Sequence, residues 1–66
     1  MKLEEIREMS EEDLKAREGE LAEQIFRGRF KKNLGEVDAV KAIREQKKEL
    51  ARVKTVMRER QMGIQR

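Results

Sequence analysis

Cysteine, proline, histidine, tryptophan and tyrosine are all missing from this chain of 66 residues, and each absence removes a class of structure or chemistry. Without cysteine there is neither a disulfide frame nor a thiolate metal site, which is the usage of an intracellular protein. Without histidine no side chain has a pKa near neutrality, and Ser10 and Thr55, the only hydroxyl side chains, have no partner to activate them. The chain therefore reads as a non-enzyme, with no catalytic residue, no metal site and no cofactor. The lack of proline leaves long helices unobstructed. Long apolar runs are missing as well. None approaches the ~20 residues that cross a bilayer, and none follows the start as a secretory leader would, so a soluble, untargeted, cytoplasmic protein is expected.

What is present is charge. Charged residues make up 47% of the sequence and apolar ones only 36%, the composition of long wetted helices with one thin apolar stripe. A chain shorter than about 70 to 80 residues seldom buries enough surface to stand firmly alone, so a partner is implied. Glu4, Glu5, Glu8, Glu11, Glu12 and Asp13 are numerous enough for a carboxylate cation site, but consecutive acids at a helix start have a simpler explanation.

That start is "MSEEDL". Ser10 suits an N-cap, Glu11, Glu12 and Asp13 occupy the first turn against the helix dipole, and Met9 and Leu14 are spaced as a hydrophobic staple. Upstream, "KLEEIRE" reads as a short helical turn whose Leu3 and Ile6 fold back on the main body. From Ser10 the apolar positions Leu14, Leu21, Ile25, Phe26 and Phe30 recur at helical spacing, which favours Phe26 and Phe30 as seam or end-packing residues over base-stacking platforms touching RNA. Gly19 costs about 1 kcal/mol against alanine within this helix, and Gly28 does so unless it admits a close neighbour. At "NLGEVD" the pattern stops, with Asn33 and Gly35 fitted to end one helix and Asp38 to cap the next. A second apolar series follows with Val40, Ile43, Leu50, Val53 and Met57, and Ile43, Leu50, Met57 and Ile64 lie seven apart. The prediction is all-α: an antiparallel hairpin of two long helices with a short N-terminal helical turn. Residues 1–66 form one domain, with a helix over about 10–33, a turn over about 34–37 and a helix over about 38–62.

The charge is polarised along the chain. Residues 1–20 carry four cations against eight anions, residues 21–40 four against three, and residues 41–66 nine against three. At 100° per residue, with Arg52 at 0°, the apolar side chains Val56, Val53, Met57, Leu50 and Ile43 fall between about 40° and 180°. Lys41, Arg44, Lys47, Lys48, Lys54 and Arg58 fall between about 200° and 340°, whereas Glu45 and Glu49 sit at the seam's edge. Arg60, at about 80°, lies within the apolar arc near the chain end. Arg44, Lys48 and Arg52 are thus stacked four apart, as are Lys54 and Arg58, and like charges at that spacing oppose a helix. Solvation alone would be met by mixed signs. A polyanion along this face would relieve the repulsion and release counterions, as a phosphate backbone does. "RGRFKK" adds Arg29, Lys31 and Lys32 at the turn end. No RNA-binding sheet, paired aromatics on a strand or zinc spacing is present, so recognition would rest on backbone and shape, which suits structured RNA.

"ELARVKTVMRER", residues 49–60, resembles the family of large-subunit ribosomal proteins numbered twenty-nine, whose pattern there is acid, aliphatic, Ala, Arg, aliphatic, Lys, Thr, two aliphatics, Arg or Asn, Glu, and Arg or Lys. Phe26, Arg29, Phe30 and Gly35 match its helix-end and turn pattern, and Lys47 and Lys48 stand at its basic pair. The chain departs at Arg27 and Gly28, where that family has a small polar residue and a leucine, and at "KKN", where uncharged residues are usual. The resemblance covers nearly the whole chain. It implies a structural protein lying on large-subunit ribosomal RNA near the exit of the peptide tunnel, beside neighbouring ribosomal proteins and close to where nascent-chain factors dock.

The RNA-binding residues expected are therefore Arg29, Lys31, Lys32, Arg44, Lys47, Lys48, Arg52, Lys54 and Arg58. The competing reading is a homodimeric interaction module, two hairpins joined by their seams into a four-helix bundle with the basic face for solubility. A helix lying on a membrane fits less well, because the apolar arc lacks Trp and has few large residues.

Overall fold

The computed structural model describes residues 2–63. Three helices follow in order: α1 over Leu3–Glu8, α2 over Glu11–Asn33 and α3 over Val37–Gln61. α2 and α3 form the antiparallel hairpin, and α1 docks on α3 at the open end. The result is a rod of 43 × 17 × 16 Å. No helix among the described residues is long and apolar enough to cross a membrane.

Local chemistry sets the breaks. Ser10, extended at φ −68° and ψ 162°, stops α1 from running into α2, and its hydroxyl accepts the N–H of Asp13 at 3.1 Å. Leu14 is fully buried and Met9 packs against the same cluster, which completes the staple. At the other end of α2, Gly35 adopts φ +89°. That left-handed residue lets Glu36 N–H reach the Lys31 carbonyl at 3.1 Å and Gly35 N–H the Lys32 carbonyl at 3.0 Å, the paired bonds of a Schellman motif. Asp38 does not cap α3 as the sequence suggested. Glu36 holds the N-cap position without a side-chain bond, and Asp38 lies in the first turn, where its charge still favours the dipole.

The core is a single narrow seam. Ile6, Leu14, Leu21, Val53 and Val56 form its centre, with Leu3, Met9, Leu50 and Met57 partly buried against it. Ile25, Ala39 and Ile43 continue it toward the turn. Ile64 lies outside the described residues. Gly28 is needed where α2 meets α3: a Cβ there would stand 2.8 Å from Ile43 Cγ1. Gly19 has nothing within 4 Å of the same position.

Two expectations about the seam are corrected. Phe26 and Phe30 do not pack in it; they are 60% and 58% exposed. Ile25 is the buried residue at that level, and the 100° step to Phe26 turns that ring away from α3. Val40 is exposed too, because on the helical wheel it falls among the basic residues at about 240°. Glu49 is the converse case. It sits inside the interface, 9% exposed, in an ion pair with Arg17 of α2. The hydrogen bond to Glu49 raises the pKa of Arg17 further.

Candidate nucleic-acid interface

α3 turns Ala39, Ile43, Val53 and Val56 inward, and the helical period carries the cations between them to the opposite side. Arg44, Lys47, Lys48, Arg52, Lys54 and Arg58 are all exposed there. Lys41, exposed on the same arc, joins them. The strip from Lys41 to Arg58 runs roughly 25 Å along the axis at 1.5 Å per residue. Arg29, Lys31 and Lys32 are exposed in the last turns of α2. The hairpin brings this second group near Lys41 and Arg44 at the turn, while Lys54 and Arg58 lie toward the open end.

These cations are little neutralised from within. Lys48 has a bridge to Glu45 at 3.7 Å between exposed side chains, a kind of pair that contributes little in water. The other eight expected RNA-binding residues make no ion pair among the described residues. Arg27 differs, being held by Glu23 at 2.6 Å. A row of mutually repelling side chains on a rigid helix is an arrangement that an external polyanion stabilises.

Two other arginines are structural. Arg17 is taken up by Glu49 and by Glu20 at 3.1 Å. Arg60 extends across the open end and donates from Nη2 to the Arg7 carbonyl at 2.9 Å and to the Met9 carbonyl at 2.6 Å. It thereby satisfies carbonyls that the end of α1 leaves without helical partners and places its charge at the negative end of the dipole. Arg7 adds a bridge to Glu59 at 3.7 Å. The sequence signal for Arg60 was its position within the apolar arc. Arg17 gave no such sign, since its partner is 32 residues away.

Comparison with known proteins gives a consistent result. Residues 4–60 match the family described as "Ribosomal L29 protein". A protein of Caldanaerobacter subterraneus subsp. tengcongensis, named "Large ribosomal subunit protein uL29", is 44% identical over 66 residues, covering 100% of each chain. Its namesake in Acidobacterium capsulatum is 44% identical over 64 residues, 97% of this chain and 70% of that one. A third of the same name, from Petrotoga mobilis, is 38% identical over 66 residues and the full length of both. No solved structure matches.

Proposed function

The chain belongs to the ribosomal L29 protein family, with a structural role in the large ribosomal subunit, and we propose that it fills this role by binding large-subunit ribosomal RNA through the basic back of α3. Arg44, Lys47, Lys48, Arg52, Lys54 and Arg58 contact phosphates along the helix, and Arg29, Lys31 and Lys32 do so at the turn. The observation that carries this reading is the row of exposed cations, eight of the nine without a carboxylate partner among the described residues. We further propose a location near the peptide tunnel exit, beside a neighbouring ribosomal protein and within reach of nascent-chain factors. That location rests on the family resemblance of residues 49–60.

The test is the salt dependence of binding to deproteinised large-subunit RNA. Replacing Arg44, Lys48 and Arg52 by glutamine flattens the log–log slope by about 0.7 to 0.9 for each phosphate no longer neutralised. An unchanged slope would mean that these side chains face water in the complex. Sedimentation of the isolated chain separates the dimer reading: an RNA-indifferent dimer favours it, whereas a monomer that RNA stabilises by mass action supports the proposal.

A further inference from the structure

The turn end of the rod carries an apolar surface that the backbone contacts proposed above leave unused. Phe26 and Phe30, four residues apart on α2, meet edge to face with ring centroids 5.0 Å apart and planes at 85°. Both rings are more than half exposed. Aromatic side chains normally bury 150–250 Å² each, so a pair held in water is a surface awaiting cover. The edge-to-face contact holds the rings against each other while both residues stay exposed.

The charges around them restrict what covers them. Residues 26–44 hold six cations, Arg27, Arg29, Lys31, Lys32, Lys41 and Arg44, against Glu36 and Asp38. A second copy of this chain would bring the same excess of positive charge to the contact, which opposes pairing through this patch. The fitting occupant is anionic and has flat apolar faces of its own. Unpaired nucleotides have both properties, because every base has a π-face and every link a phosphate. Arg29 lies three residues beyond Phe26 and next to Phe30, within reach of a phosphate of the same nucleotide.

We propose that Phe26 and Phe30, with Arg29 beside them, form a stacking platform for an unpaired base of the bound RNA, so that the turn end reads single-stranded RNA while α3 lies along the backbone. This rests on the RNA-binding reading and adds a base contact to it. The test compares the wild type, the Phe26→Leu/Phe30→Leu double variant and a Phe30→Trp variant. Deproteinised large-subunit RNA and a fully paired RNA duplex serve as ligands. The double variant is expected to bind the ribosomal RNA about five- to 150-fold more weakly for one stacked base, with an unchanged salt slope, and to match the wild type on the duplex. Its circular dichroism stays that of the wild type, since neither ring is in the core. In the Phe30→Trp variant the introduced indole is the chain's sole tryptophan, and its emission is expected to fall when ribosomal RNA binds. Wild-type affinity in the double variant, with the indole emission unmoved, overturns the platform and leaves the backbone reading intact. If RNA affinity were unchanged while association with an acidic protein disappeared, the patch would be a protein contact, which also overturns it. A wild type that binds neither RNA removes the reading on which the platform stands.

Discussion

Replacing Arg60 by methionine keeps much of the length of the side chain and removes its two hydrogen bonds to the Arg7 and Met9 carbonyls. α1 has only six residues, far too few to persist alone in water, so it stays folded only because α3 holds it. Besides the packing of Leu3 against the core, three contributions do so. Burial of Ile6, fully covered, is worth about 1.5–3 kcal/mol. The Arg7–Glu59 bridge at 3.7 Å adds less than about 1 kcal/mol. The Arg60 bonds, charge-assisted but shared by one nitrogen, supply about 2 kcal/mol. Removing them lowers the free energy of opening α1 by about that amount, which is roughly a thirtyfold rise in its open population. Amide hydrogen exchange followed by NMR reads this directly at Ile6, whose N–H bonds the Lys2 carbonyl at 3.2 Å, and at Met9, whose N–H bonds the Ile6 carbonyl at 3.2 Å. Exchange at both within about threefold of the wild type would refute the idea that Arg60 clasps α1.

Other substitutions test the hairpin itself. Gly19→Ala, at an exposed helical site with nothing near the new methyl group, should stabilise the chain by up to about 1 kcal/mol and raise the thermal midpoint by several degrees. Gly28→Ala should cost about 1–3 kcal/mol in urea unfolding, because Ile43 must move from a contact of 2.8 Å. Ser10→Ala should cost about 1 kcal/mol in the same assay, since the bond from Asp13 N–H has no acceptor there.

What the sequence disclosed was mostly local. Ser10, the Met9–Leu14 staple and Gly35 could be read because each acts on residues three to five positions away, and the turn between the long helices followed from them. Periodicity found the seam but not its edges. A stripe at spacings of three, four and seven tolerates Ile25 and Phe26 equally, and only the placement of α3 decides that the first is buried and the second wetted. Position on the wheel did predict the exposed cations, since it also gives the side away from the apolar arc. The partners of Glu49 and Arg60 were beyond reach because they come from distant parts of the chain, at separations of 32 residues for Arg17 to Glu49 and 53 for Arg7 to Arg60. A lone charge at a seam reads as an edge residue until its partner is placed.

The clasp across the open end bears on how the molecule is made. The carbonyl of Arg7 waits for a side chain 53 positions later, so a segment synthesised early is completed by one synthesised late. Until Val53, Val56 and Arg60 have been added, Ile6 lacks the α3 side of the cluster it settles in, and α2 begins from Ser10 without it. In an emerging chain α1 therefore lacks its contacts with α3 until that helix has been made. Its clasp is complete only once the final turn of α3, which carries Arg60, is in place.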